Sequence, residues 1–305
     1  MGTQTPTLSI PLSQTLKGLL RAMRPKQWTK NLLIFAGIVF DVKLLVLPYL
    51  ARTLLAFVLF CMLSSAVYLV NDLVDIEKDR QHPKKRHRPL ASGELSPQVA
   101  IIAILVMLAV ALPLAFWLSL PFGGIALTYV ALMLAYSFRL KHIVIIDVLV
   151  VAAAYPLRAG AGTVVFPIER FSPWLYVCTL LGALLISIGK RRHELRLLEN
   201  NAAQHRASLD EYSPALLDEM IAVVTSTTVI TYSLYTFSAT NRPDTYAMML
   251  TIPFVLYGIF RYLYLIHRHN AGGSPEELFL KDRPLALTVI LWGLTVIAIL
   301  YLGLR

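Results

Sequence analysis

Three aspartates close a long apolar run, in the stretch Asn71–Arg80, NDLVDIEKDR. Asp72, Asp75 and Asp79 are spaced i, i+3, i+7, which on a helix puts all three carboxylates on one face. Carboxylates about 6 Å apart repel by roughly 3 kcal/mol at an effective dielectric of about 20. A helix C-terminus adds further negative potential. Such a face wants a cation. Hard oxygens with the Asn71 amide beside them suit Mg²⁺, above all Mg²⁺ that carries substrate phosphates. The next basic residues, Arg80, Lys84, Lys85, Arg86 and Arg88, could hold the phosphate oxygens that the metal leaves free. The plainer alternative is a solvated helix end with internal Asp–Lys/Arg pairs.

The element that must position these acids is long. From Thr53 to His82 there is no Pro and no Gly, so one helix is expected to run unbroken until Pro83 stops it. A run of about 30 residues makes about 45 Å, against about 30 Å of bilayer hydrocarbon. The last turns must therefore leave the hydrocarbon, and those turns carry the acids.

The whole chain has the character of a membrane protein. It is 57% hydrophobic, with a mean hydropathy of +0.64 and several apolar runs near twenty residues. Apolar segments fall at about 31–48, 52–70, 99–119, 121–138, 143–165, 174–189, 216–238, 246–266 and 284–303. The expectation is an all-α polytopic bundle of about nine transmembrane helices, with residues 31–305 as one membrane domain. The pair 99–138 turns tightly at Pro121 with Gly123 and Gly124. Residues 1–15 read as a flexible tail without the basic start and apolar core of a signal peptide. Residues 16–30 read as an interfacial amphipathic helix: Leu16, Leu19, Leu20 and Met23 share a face, Lys17, Arg21 and Arg24 lie opposite, and Trp28 sits at headgroup depth.

Charge orients the bundle. With the N-terminus inside, the outer side holds only Lys43, Arg52, Arg170, Arg242 and Arg305 of the 28 Lys and Arg, and Arg158 and Arg261 lie within spans. Every other Lys and Arg, and every His, falls on the inner side. That is the positive-inside pattern of a plasma-membrane protein with a cytoplasmic active face, and it accounts for the net charge of +10 without nucleic acid. Cys61 and Cys178 both lie in apolar runs and read as small core residues, with neither a disulfide nor a metal site implied.

Two further groups of residues carry chemistry. The sixth span ends in GKRRHEL, with Lys190, Arg191 and Glu194 near the membrane edge; an i, i+4 surface pair between Lys190 and Glu194 is its plainer reading. Tyr136, Lys141 and Asp147 bracket the entry to the fifth span, and Arg158 lies deeper in it. Asp147 and Arg158 stand eleven residues apart, about three turns, so they can share a face as a buried pair or serve substrate. The late stretch SPEELFLKDRPL could line a site or be a solvated connector.

NDLVDIEKDR fits the first aspartate-rich motif, NDxxDxxxD, of the UbiA superfamily of intramembrane prenyltransferases, and RHRPLASGELS resembles the Arg-Pro-Leu and Gly that come after that motif in the superfamily. The chain is similar to that superfamily in its nine expected helices and inner-face loops. It departs in the loop after the sixth span, where typical members carry a second Asp-rich motif and this chain has GKRRHEL. With RPKQWTKN, YSFRLKH, PLRAGAG, SPWLY and PEELFLKDRPL, it resembles one branch, the phosphoribosyltransferases that act on decaprenyl phosphate. The likeness extends from about Arg24 to the last span.

The resemblance to that branch implies transfer of phosphoribosyl from phosphoribosyl pyrophosphate (PRPP) to a polyprenyl phosphate. Asp72 and Asp75 would be catalytic, and Asn71, Asp72, Asp75 and Asp79 would hold Mg²⁺. Arg80, Lys84, Lys85, Arg86, Arg88, Tyr136, Lys141, Arg158, Lys190, Arg191 and Glu194 would bind PRPP. Lys26, Gln27, Lys30 and Asn31 would position the lipid phosphate. In-line attack predicts inversion at the ribose. The competing enzyme is an ordinary prenyltransferase moving a polyprenyl group from its diphosphate to an aromatic or glycerol acceptor. A transporter is disfavoured, because transporters break their helices at the midplane and here the polar clusters gather at one face. A homo-oligomer stays open.

Overall fold

The structure, a computed structural model, describes residues 12–83, 85–168, 172–197, 207–238, 246–269, 273, 278 and 281–302. Lys84 and half of SPEELFLKDRPL lie outside them. Among the described residues there are helices and turns but no strand.

Helix α1 (Leu12–Ala22) begins inside the stretch expected to be a tail and ends before the expected Lys30. Leu19, Ala22 and Met23 pack against Ala66, Leu69, Leu90 and Leu95, while Leu16 and Leu20 face outward. Pro25 cannot continue the helix. Arg24 takes a left-handed backbone, φ 54° and ψ 63°, and Pro25–Phe35 then runs as a 3-10 helix into α2 (Ala36–Phe40). An eleven-residue 3-10 run is uncommon because its hydrogen bonds are poorly aligned. This one is held from outside. Trp28 Nε1 donates to Ser65 Oγ at 3.1 Å and Asn31 Nδ2 to Ser64 Oγ at 3.2 Å. Against its other side lies Gly162, where a Cβ would come within 1.8 Å of the Ile34 carbonyl oxygen; only glycine permits that approach.

Helix α3 (Leu47–Val74) does not run unbroken to Pro83. It breaks at Asp75, φ −98° and ψ 8°, and resumes as α4 (Ile76–Gln81). The backbone still bonds Asp75 N to Asn71 O at 3.1 Å and Asp79 N to Asp75 O at 2.8 Å. The chain therefore bends where it leaves the apolar run without turning its acids apart, and cations from three neighbouring segments meet them there.

The rest is a succession of neighbours. Helices α5 (Pro97–Leu118) and α6 (Leu120–Phe138) are joined by Ser119 alone, whose hydroxyl donates to Val164 O at 2.8 Å. Then come α7 (Ile146–Thr163), α8 (Pro173–Leu197), α9 (Pro214–Ser238), a 3-10 turn at Tyr246–Thr251 leading into α10 (Ile252–Arg268), and α11 (Arg283–Leu302). Consecutive helices pack together, and the 3-10 segment lies between α3 and α7. Tyr301 near the end of α11 donates to Val39 O at 3.1 Å, so the last helix returns to α2.

Among the described residues seven helices are long and apolar enough to cross a membrane: α3, α5, α6, α8, α9, the run Tyr246–Arg268 and α11. The chain is a multi-pass membrane protein. The two other expected spans are of a different kind. Residues 31–48 are divided among the 3-10 segment, α2 and a turn, and α7 carries the buried Asp147 and Arg158. One core joins Phe60, Phe122, Tyr129 and Ile34; another joins Ile188, Leu217, Tyr262 and Leu285. Outward positions such as Leu105, Trp117, Phe260 and Leu294 stay apolar and exposed, as a face toward lipid requires.

Candidate functional site

The bend after α3 gathers charge of both signs. Asp72 is buried, yet it accepts from Arg24 and, at 3.0 Å, from Arg88 Nη1. The same Arg88 nitrogen lies 2.6 Å from Asp79 Oδ2. Asp75 accepts from Lys141 Nζ at 2.6 Å. Arg24 arrives from the left-handed turn after α1, Arg88 from the turn just past Lys85–His87, and Lys141 from a 3-10 turn between α6 and α7. A cleft of about 30 Å³, lined by Asp75, Lys78, Asp79, His82, Lys85, Lys141 and His142, opens beside them. That is room for a water or a small ion.

These residues fit a hard divalent cation in their chemistry. One nitrogen already lies within 3.0 Å of oxygens from both Asp72 and Asp79, so two carboxylates converge on one positive centre. Among the described residues no three acids, histidines or cysteines stand at metal-ligand spacing, because Arg88 and Lys141 occupy the ground between them. Binding a metal here means exchanging those cations for it.

A second charged cluster sits on α8. Arg191 is buried and every nitrogen of its guanidinium is engaged. Nε donates to Asp147 Oδ2 at 2.6 Å, Nη1 to Glu194, and Nη2 to the Tyr136 hydroxyl at 3.2 Å. Asp147, fully buried, also accepts from the Tyr212 hydroxyl at 2.7 Å. Burial, and then this bond to Asp147, push the Tyr212 hydroxyl well above its usual pKa, so it remains a donor. Ser208 Oγ lies 3.1 Å from Lys141 O and 3.4 Å from Asp147 Oδ2, tying this knot to the segment that supplies Lys141. Of the two readings left open for Asp147 and Arg158, a pair with each other does not occur. Helical spacing allows it, but Arg191 reaches Asp147 from the neighbouring helix. Glu194 likewise pairs with Arg191 at i+3.

Arg158 lies elsewhere, in the apolar core. Its Nε donates to Asn31 Oδ1 at 2.8 Å, Nη1 to Ala154 O at 2.6 Å and Nη2 to the Tyr129 hydroxyl at 2.9 Å. Its carbon stands 4.7 Å from the Tyr129 ring centroid and 5.6 Å from that of Tyr155. The described residues bring no carboxylate to it. Cation–π contacts are worth up to about 2 kcal/mol when desolvated, whereas burying an ion costs several kcal/mol. The rings do not offset the charge.

The remaining expected residues are dispersed. Arg80 is exposed, pairs with Glu77 at 2.7 Å and reaches Ala91 O at 3.3 Å. Arg86 is exposed beside His87, and Lys85 borders the cleft. Lys26 is exposed on the 3-10 segment, Gln27 and Lys30 are half-buried, and Asn31 is fully buried against Cys61 and Ser64. Lys190 is exposed at the end of α8, and Tyr136 is buried. The geometry adds residues that the sequence motifs left out of the site. Arg24 stands in the quoted RPKQWTKN, so a signal existed. Tyr129, Ser208 and Tyr212 carried none, since each matters only through a partner far along the chain. Beside the knot, Arg192 pairs with Asp218 at 2.5 Å, and His267 Nε2 lies 3.3 Å from the same carboxylate.

Comparison with known proteins places this arrangement. The chain is 36% identical to decaprenyl-phosphate phosphoribosyltransferase of Mycolicibacterium smegmatis over 95% of both chains. It is 34% identical to the Mycobacterium tuberculosis protein of the same name over 96% of this chain and 97% of that one. Among solved structures, a UbiA homolog from Archaeoglobus fulgidus bound to GPP and Mg²⁺ superposes with a TM-score of 0.70 at 21% identity, over 92% of this chain and 99% of that one. A sequence model of the UbiA prenyltransferase family matches residues 32–281. That match takes in the acid bend, the buried Arg158 and Arg191 and the helices that hold them, and the chain belongs to the UbiA prenyltransferase family.

Proposed function

We propose that the protein transfers the 5-phosphoribosyl group of PRPP to a polyprenyl (decaprenyl-like) phosphate, releasing pyrophosphate and giving polyprenylphosphoryl-5-phosphoribose. The observation that carries this reading is the end-to-end similarity to decaprenyl-phosphate phosphoribosyltransferases. The site supports it. Asp75 and Asp79 border the small cleft together with Lys78, Lys85 and Lys141, so acids for a metal and cations for the pyrophosphate it carries are gathered at one place. Where a prenyl donor would meet a second cluster of acids, α8 presents Lys190, Arg191 and Glu194.

The bond that breaks joins the ribose anomeric carbon to pyrophosphate oxygen, and pyrophosphate leaves with the electron pair. The bond that forms joins the same carbon to a phosphate oxygen of the lipid, which supplies its own pair. Both phosphates are anions, so no protein group need move a proton. Mg²⁺, held by Asp72, Asp75 and Asp79 with Asn71, would neutralise charge on the departing group. Lys141 and Arg88 would be the nearest fixed cations to that group, with Arg80 of α4 and Lys85 and Arg86 of the basic turn beyond them; Lys84 lies outside the described residues. Lys190 would face the 5-phosphate. Arg191 would hold Tyr136 and Glu194 in place toward the ribose hydroxyls, with its own charge spent on Asp147. Attack opposite the leaving group inverts the centre, from an α-configured donor to a β-linked product. The skew of Lys and Arg supports a cytoplasmic N-terminus and a cytoplasmic site in a plasma-membrane protein, the side on which PRPP is available.

The test is direct. Purified protein with Mg²⁺, radiolabelled PRPP and a polyprenyl phosphate is expected to yield a labelled lipid, and EDTA to abolish it. No labelled lipid across several chain lengths, together with alkylation of an aromatic acceptor by a polyprenyl diphosphate, would establish the prenyltransferase reading instead.

A further inference from the structure

Arg158 is the buried charge that the donor cleft does not use. It is 3% exposed, and its surroundings are Tyr129, Tyr155, Ala154 and the core that includes Ile34 and Leu63. Three of its N–H groups are taken, one each by Asn31, Ala154 O and Tyr129. An arginine carries five, so each terminal nitrogen keeps one more, in the forked arrangement that phosphate accepts best. Asn31 cannot neutralise it: the side chain is an amide, and its own N–H groups are directed to Ser64 and Cys61.

The position is continuous with the acid bend. The Arg24 guanidinium, which pairs with Asp72, stands 5.0 Å from the Tyr68 ring centroid. Tyr68 and Lys30 are in turn electrostatic neighbours of the Tyr129 hydroxyl that Arg158 holds. A row therefore leads from the carboxylates into the bundle and ends at Arg158.

We infer that Arg158 receives the phosphate of the acceptor lipid, with Asn31 as the residue that aims its guanidinium, and that it takes no part in binding PRPP. The inference rests on the phosphoribosyl-transfer reading and divides its two substrates between two places. PRPP is polar at every position and matches the charged residues gathered around Asp75 and Lys141. An isoprenoid monophosphate is apolar except at one end. A cation enclosed by aliphatic and aromatic side chains matches that end, because phosphate and tail both find partners there. Holding the phosphate at this end of the row sets its free oxygen toward the carbon that pyrophosphate leaves.

Two variants separate this from a structural role. Arg158→Lys keeps a charge and loses the fork. Asn31→Asp keeps the shape and sets a carboxylate against Arg158 Nε, filling the place of the phosphate charge. Each purified full-length protein is given a polyprenyl monophosphate, or the same polyprenol, in a direct binding assay, and its turnover is monitored as PRPP and lipid phosphate are varied separately. Wild type is expected to prefer the phosphate over the alcohol at least tenfold. Both variants are expected to lose most of that preference and to raise the apparent KM for lipid phosphate at least tenfold, with that for PRPP changed less than twofold. Asn31→Asp is also expected to melt no lower than wild type. A rise in the PRPP requirement instead, or an unaltered phosphate preference in Asn31→Asp, overturns the inference. Phosphate-selective binding without any turnover from PRPP overturns the transfer reading and leaves the place of Arg158 standing.

Discussion

The bend after α3 and the knot on α8 are built from the same materials and do opposite things with them. At the bend, cations are shared: Arg88 serves two acids and Asp72 accepts from two arginines. Asp75 and Asp79 border an open cleft. Such partners can be exchanged, because an acid that gives up one cation retains charge nearby and meets water or metal. In the knot, Asp147 is fully buried and Arg191 nearly so, and each guanidinium nitrogen meets an acceptor, two of them carboxylates. Nothing there can leave without stranding a charge. Charge at the proposed substrate site is shared and half-open; charge that holds helices together is dedicated and closed.

The largest effect should come from breaking the closed side. Asp147→Ala leaves Arg191 Nε and the Tyr212 hydroxyl buried without an acceptor, and is expected to cost about 3–5 kcal/mol of stability. The measurement is a fall in the melting temperature of the solubilised protein; a melting curve like wild type would mean that the knot is not closed. Next comes the open side. Asp75→Asn should lower turnover by about 10²–10³-fold at saturating Mg²⁺ and donor while stability changes by about 1 kcal/mol or less, because the amide oxygen still accepts from Lys141. Near-normal turnover would remove Asp75 from the reaction.

Legibility in the sequence divides along the same line. NDLVDIEKDR announces itself because its three acids are local, within two helical turns of one another. Their partners do not. Arg24, Arg88 and Lys141 stand 48, 16 and 66 residues from the acids they meet, and no spacing rule reaches that far. Asp147 illustrates the cost: an arginine on its own helix, at a plausible spacing, looks like its partner, and the true one lies 44 residues away. Seven membrane helices were legible as hydropathy. The 3-10 segment was not, since residues 31–48 are as apolar as a span whichever helix they form.

The smallest effect lies at a pair that belongs to neither cluster. Asp282 pairs with Arg261 at 2.9 Å and accepts from Leu285 N at 2.9 Å, capping α11. Its hydrogen bond with Arg261 holds the carboxyl below the usual carboxylate range. A depressed pKa contributes stability above the ordinary value of about 4 and loses it as pH falls through the lowered one. Asp282→Ala should therefore cost about 1 kcal/mol at neutral pH, with turnover unchanged, and its melting difference from wild type should shrink in acid. A large loss of turnover would mean that this end of α11 reaches the site.

The 3-10 segment also bears on how the protein is assembled. Eleven residues at about 2.0 Å and the five of α2 at about 1.5 Å span about 30 Å, so a stretch too short for an ordinary spanning helix still matches the hydrocarbon thickness. Its turns are weak, and its asparagine is satisfied only by α3 and α7. During synthesis it leaves the ribosome before either of them. It cannot settle until Ser64 and then Arg158 have been made, so the first apolar stretch to be translated waits for α7 before it finds its place.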